Sequence, residues 1–301
     1  MAGNPLVSVL ITAYNREAFI REAIGSILRS SFDDLEVIVV DDGSADGTLA
    51  IAREFERADS RVRAYQNEVN LGDYPNRNRA ASLACGEYLK YLDSDDVIYS
   101  HGLGVMVDCV RAFPEAGFGL SENGDSLGAY PRLLQPADSY REHFLVADLF
   151  GRAPGSAIIR RSAFESVGGF PGKSYVGDQA LWLRMGSRFP MVKMPRDLYW
   201  ARAHDRQEKV YEPAETIALR RSISLDALAS PDCPLTAEER QRAILRMGDG
   251  EARTFWSLVV RRQGGMGPLR YKQCVGLPTS QIARFAVSRM LSAAKINPGR
   301  S

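Results

Sequence analysis

Residues 86–97 read GEYLKYLDSDDV, an apolar run that stops in three carboxylates within four positions, Asp93, Asp95 and Asp96. Tyr88, Leu89, Tyr91 and Leu92 have the residue types and the length of a buried strand. Like charges crowded at the tip of such a strand repel one another, so a compensating positive charge is expected there. Asp93 and Asp95 stand two apart where strand gives way to loop, and both can turn toward one site. Oxygen donors of this kind suit a hard cation, Mg²⁺ or Mn²⁺. An EF-hand loop does not fit, because its sixth position would be Ile98 rather than Gly and no acidic residue closes it. The plainer reading is a turn, or the N-cap of a helix expected at about 100–112.

Working outward, the same strand-then-helix unit recurs. LVSVLIT (6–12) is a compact β-branched run, and the following segment (16–30) repeats Phe19, Ile20, Ala23, Ile24, Ile27 and Leu28 at helical spacing. LEVIVVD (35–41) precedes a helix from about Asp46, and RVRAYQ (61–66) precedes one at about 75–85. This alternation predicts an α/β fold: a mostly parallel central sheet, right-handed crossovers and helices on both faces. Ligands of such sheets sit beyond the carboxyl ends of the strands. Three polar clusters end strands at that rim: Thr12 to Asn15, Asp41 to Ser44, and Asp93 to Asp96. Beyond about residue 120 the alternation breaks into Gly- and Pro-containing connections, and from about 212 the pattern is helical to the end. The domains expected are therefore 1–210 and a helical extension, 211–301, with a soft boundary near 205–215.

The second cluster, VVDDGSADGT (39–48), places Gly43 for a tight turn and Ser44, Asp46 and Thr48 as helix-start residues. A capped strand-to-helix turn accounts for those residues but less well for the pair Asp41 and Asp42, and a carboxylate at a strand end can accept from a base N–H or ribose hydroxyls. A dinucleotide-binding fold would carry G-x-G-x-x-G after the first strand, whereas this chain continues TAYNREAF; a P-loop is absent too. The phosphates of a bound nucleotide would then be neutralised by a cation at Asp93 and Asp95 rather than cradled by glycines.

The ordered set VSVLITAYNRE, VVDDGSADGT, NLGDYPNRNRAASLACGEYLKYLDSDD, GGF and GDQALWLRM resembles the family 2 glycosyltransferases of the GT-A fold, over about residues 5–205. The resemblance implies an inverting, metal-dependent transfer of one sugar from a nucleotide-sugar donor, usually a UDP-sugar, with a D-x-D motif holding the metal. It implies that Thr12 and Tyr14 form the base pocket with Glu17 nearby, and that Asp42 accepts from the base. It further implies that Asp93 and Ser94 face the nucleotide-sugar, and that Asp95, with Asp93, binds the metal. The family's late acidic pair is reduced here to Asp178, in GDQALWLR; as a positioned carboxylate it would serve as general base, the alternative being a helix N-cap. His204, in WARAHDR, matches an Arg-x-His element that could join the metal, although a lone loop histidine is equally expected. The acceptor implied is a hydroxyl of a glycan, lipid-linked or small molecule, in cell-surface polysaccharide biosynthesis. A sugar nucleotidyltransferase shares the fold but expects a glycine-rich loop after the first strand that this chain lacks. A non-enzymatic nucleotide-sugar-binding scaffold is the remaining alternative.

Composition is consistent with this. The 38 Lys and Arg nearly cancel the 37 Asp and Glu, so no global field points to nucleic acid. Cys85, Cys109, Cys233 and Cys274 are scattered without C-x-x-C spacing, arguing for a reducing, cytoplasmic setting and against a disulfide framework. No apolar run approaches the ~20 residues that span a bilayer. In the C-terminal stretch, Ile282, Phe285, Ala286, Met290 and Leu291 lie near one face beside Arg284, Arg289 and Lys295. Such a helix could rest peripherally on the inner face of an anionic membrane, but packing on its own domain is the preferred reading.

Overall fold

A computed structural model describes residues 4–122, 129–172, 176–204, 214–261 and 267–296, without the side chains of 214–215, 261 and 289–296. Most of the boundary expected at 205–215, and the side chains of Arg289, Met290, Leu291 and Lys295, therefore lie outside the described residues. Two compact units emerge: Met1–Ser139 with Leu149–Gln207, and Tyr140–Asp148 with Glu208–Ser301.

The first unit is built on an eight-stranded sheet. In chain order its elements begin β1 (Val7–Ala13), α1 (Ile20–Leu28), β2 (Leu35–Asp41), α2 (Thr48–Ala58), β3 (Val62–Gln66) and α3 (Asp73–Ser82). Next come β4 (Tyr88–Tyr91), β5 (Val97–Ile98), α4 (Gly102–Arg111), β6 (Phe118–Ser121), β7 (Arg132–Leu134) and α5 (Pro136–Arg141). Then follow β8 (Ala157–Arg160), α6 (Arg161–Ser166), α7 (Gly177–Arg188), β9 (Met191–Met194) and β10 (Tyr199–Trp200). Spatial order is β3-β2-β1-β4-β8-β6-β9-β7, and β10 pairs with β5 in a separate ribbon. The run β3-β2-β1-β4 is parallel, as is β6 with β9; β8 and β7 pair antiparallel with their neighbours. The expected mostly parallel sheet with surrounding helices is thus present. β2 is buried at all seven positions and β4 at all four, which is why both are rich in apolar residues without the alternation of a half-exposed strand.

The helix expected over 16–30 is shorter, beginning at Ile20. Asn15 takes a left-handed backbone, φ 53°, and the Asn15 and Arg16 amides donate to Ser44 Oγ and Thr48 Oγ1, each at 2.8 Å. These polar bonds hold the chain out of the helix and tie the tips of β1 and β2 together.

In the second unit, α8 (Ala214–Ala229), α9 (Ala237–Arg261), α10 (Pro268–Cys274) and α11 (Thr279–Ile296) enclose a small core of Ala252, Tyr271, Val275, Leu277 and Ile282. α9 starts with a reciprocal capping box: Glu239 N–H donates to Thr236 Oγ1 at 3.2 Å and Thr236 N–H to Glu239 Oε2 at 2.9 Å. Among the described residues no helix is long and apolar enough to cross a membrane.

Candidate active site

The three polar clusters meet at the carboxyl ends of the adjacent strands β2, β1 and β4. Arg16, just beyond β1, reaches Asp95 with Nε 3.6 Å from Oδ2, and Asp42 N–H donates to Ala13 O at 2.8 Å. The compensating charge expected beside the carboxylates is, in the described residues, supplied by the protein. Asp93 Oδ1 accepts from Arg77 Nη2 at 2.7 Å, and Asp95 Oδ2 lies 2.8 Å from His204 Nε2. Asp96 Oδ1 accepts from the Arg202 amide at 3.0 Å. Beneath them, fully buried Lys90 donates from Nζ to the carbonyls of Tyr91 and Gly155. Burial lowers the Lys90 ammonium to about 7 against the opposing pull of Asp93 and Asp96. Burial, then the negative charge of Asp93, pushes the Asp96 carboxyl up to about 7.

His204 reaches this cluster because β10 pairs antiparallel with β5, setting Trp200 opposite Val97 and so folding residues 201–204 over residues 95–96. Its ring packs at a 30° tilt against Phe19, centroids 4.6 Å apart, and the Arg202 guanidinium lies over both Phe19 and Trp200. Asp95 and Asp93 supply carboxylate oxygens of the right chemistry for Mn²⁺ or Mg²⁺, and the His204 imidazole, hydrogen-bonded to Asp95 at 2.8 Å, lies next to them. No group of three or more such donors poised on one ion occurs among the described residues.

Asp42 is 3% exposed and clamps the loop before α3, accepting from Asn67 Nδ2 at 2.7 Å and from the Leu71 and Gly72 amides, each at 2.9 Å. Gly43 and Gly72, with φ of 77° and 85°, make that approach accessible. Beside it, buried Asp41 Oδ1 and Asn67 Oδ1 accept no hydrogen bond among the described residues. Glu17 is drawn to the α2 start, Oε2 accepting from the Gly47 amide at 2.9 Å while its own amide donates to Asp46. Tyr14 is 48% exposed at the β1 tip, Thr12 is half-buried and Ser94 is buried.

Asp178 stands in the first turn of α7, with Oδ1 accepting from the Gln179 amide at 2.7 Å. The GGF motif sets where that turn falls. Gly168 and Gly169 adopt φ of 79° and 68°, and Asn78 of α3 grips Phe170 at both its amide (2.9 Å) and its carbonyl (2.8 Å). Phe170 then stacks on Tyr74 at 5.3 Å, and Gly177 sits against the Tyr74 ring. Burial, then the Asp178 and Asp73 charges, pushes the Tyr74 phenol up. α3 therefore joins the two halves: Tyr74 adjoins Asp178, while Arg77 bonds Asp73 and Asp93, each at 2.7 Å.

Sequence reasoning had Arg202 only as a companion of His204, and it missed Arg77, Arg16 and Asn67, each engaged with a strand-tip carboxylate, and Asn78, which grips Phe170. For Arg77 and Asn78 a signal was present in DYPNRNRAAS, whose polar residues Asn76 and Arg77 are buried in a helix of low apolar content, a pattern that packing alone does not require.

Three comparisons bear on the arrangement. The family model described as Glycosyl transferase family 2 matches residues 8–168. The GalNAc(5)-diNAcBac-PP-undecaprenol beta-1,3-glucosyltransferase of Campylobacter jejuni is 27% identical over 187 residues, 60% of this chain and 60% of that one. The chain spans 28% to 68% of the length of eight curated relatives it matches. Among solved structures, S. aureus TarS 1–349 in complex with UDP-GlcNAc superposes with TM-score 0.68 at 20% identity, over 92% of this chain and 83% of that one. The Pyrobaculum calidifontis mannosyltransferase PcManGT, in complex with GDP-Man and Mn²⁺, gives 0.61 at 17% identity, over 97% and 86%. Those likenesses establish the fold.

Proposed function

The chain belongs to glycosyl transferase family 2, and from that membership we propose that it transfers one sugar from a nucleotide-sugar, a UDP-sugar by preference, with inversion. The acceptor is a hydroxyl of a glycan or lipid-linked molecule, in cell-surface polysaccharide synthesis. The observation that carries the reading is the bridge made by α3. Tyr74 adjoins the Asp178 carboxylate and, about one turn along, Arg77 bonds Asp93, which supports reading Asp178 as the base of the same site as the strand-tip carboxylates. The UDP-GlcNAc and GDP-Man complexes of the fold neighbours support a nucleotide-sugar donor.

In this reading Asp178 accepts the proton of the acceptor hydroxyl as its oxygen attacks the anomeric carbon from the face opposite the nucleotide. The carbon passes through oxocarbenium character, the bond to the diphosphate oxygen breaks, and configuration inverts. Asp42 keeps the 67–72 loop closed against the β2 tip, and Tyr14 offers its exposed ring to the base. Asp95 and Asp93, with His204, would hold Mn²⁺ or Mg²⁺, which when bound supplies positive charge for the departing diphosphate. Residues 1–210 would then form the donor-binding and catalytic domain, and 211–301 the extension.

Asp178→Asn tests it. Transfer to a panel of glycan acceptors should fall at least ~10³-fold while UDP affinity stays within about twofold, the separation expected of a base that acts only in the transition state. Equal loss of UDP binding would assign Asp178 to the donor pocket instead.

A further inference from the structure

Charge along the chain is divided unevenly. Of the 38 Lys and Arg, nine lie within residues 252–301, where no Asp or Glu occurs, and the other 29 share residues 1–251 with all 37 acids. The same stretch carries uncovered apolar side chains. On α9, Ala252, Phe255 and Leu258 turn into the small core of the second unit. Trp256, Val259 and Val260, at i, i+3 and i+4 beside them, remain 37%, 37% and 78% exposed. Leu269 of α10 and Val287 of α11 are 71% and 54% exposed. Arg253, one turn before Trp256, and Arg270, next to Leu269, are exposed as well.

We propose that this basic, apolar end of the helical unit docks on the surface of an anionic lipid bilayer. Exposed aliphatic side chains would enter the headgroup boundary, Trp256 would sit at its level, and the basic residues would meet the lipid phosphates. The alternatives fit less well. Two copies meeting through the same face would oppose one predominantly basic stretch to another, with Asp249 already paired to Arg284, and like charges would repel. A nucleic acid would satisfy the basic residues but leave Val260 and Leu269 in water. The proposal is independent of the transferase reading, since it uses no donor and none of the strand-tip residues.

Co-sedimentation of the full chain with vesicles tests it, comparing pure phosphatidylcholine with phosphatidylcholine containing phosphatidylglycerol. Binding should require the anionic lipid and weaken with added salt. Tryptophan emission should shift to the blue on binding, and Trp256→Phe should remove most of that shift, because Trp182 is fully buried and Trp200, though exposed, belongs to β10 of the first unit and not to this surface. Val260→Asp, at a position exposed enough to leave folding intact, should weaken binding about tenfold or more. Three results would overturn the proposal: equal binding to neutral vesicles, binding unaffected by Val260→Asp, or a vesicle-free dimer in sedimentation that Val260→Asp dissolves.

Discussion

At the scale of single residues, the carboxylates divide by what their oxygens already do. Asp42 accepts three protein hydrogen bonds in a site 3% exposed, so its first duty is to the 67–72 loop. Asp42→Asn turns one acceptor into a donor facing a backbone N–H, that of Leu71 or of Gly72, and should lower stability by about 1–3 kcal/mol, measured as a shift of the urea midpoint. Asp95 is engaged at one oxygen by His204 and Arg16, side chains whose positions can change, and is therefore the better placed of the two to exchange partners for a ligand. The tip carboxylates and Asp178 were legible in the sequence because acids at strand ends and at a helix start are conspicuous against apolar runs. The arginine partners Arg77 and Arg16 were not legible, whereas His204 was read as a candidate at the metal. Arg77 comes from α3, Arg16 from the β1–α1 connection and His204 from beyond β10, and only the parallel order of β2, β1 and β4 with the β5–β10 ribbon brings them to one rim.

At the scale of elements, the first four strands and their helices followed directly from hydrophobic period, since each unit is local and the parallel run pairs in a predictable order. The far half of the sheet did not, because β6, β7, β8 and β9 are short and pair with strands distant in sequence, where periodicity carries little signal. Two local devices decide whether the site assembles. The first is the double grip of Asn78 on Phe170, which fixes the approach to α7. Asn78→Ala should lower kcat about tenfold or more with little change in donor KM, the pattern of a displaced reacting group. The second is the contact of α4 with the β10 approach, where a Cβ at Gly102 would fall 2.0 Å from Leu198 O. Gly102→Ala should therefore shift the β5–β10 ribbon, detaching His204 from Asp95 and lowering the melting temperature by several degrees; an unchanged melting temperature and full activity would contradict this account of the ribbon.

At the scale of the whole molecule, a fully buried cation beneath an acidic rim leaves a signature in stability. Lys90 titrates near 7 when folded, against ~10.4 in the unfolded chain, mainly through burial. Between those values the unfolded state holds more protons, so this residue's contribution makes stability rise as pH increases from 7 toward 10. Lys90→Met should flatten that rise, seen as a difference between the two proteins' urea midpoints across this range, and parallel midpoints would show that Lys90 keeps its proton throughout. The central claim concerns the rim itself: the strand-tip carboxylates hold a nucleotide diphosphate through a divalent cation. Isothermal titration with UDP, GDP and dTDP, with and without Mn²⁺, tests it most directly, carried out on the wild type and on Asp95→Ala. The account predicts Mn²⁺-dependent binding of UDP that Asp95→Ala weakens at least ~tenfold. Absence of binding to all three nucleotides with and without the metal, or equal affinity in Asp95→Ala, would contradict it.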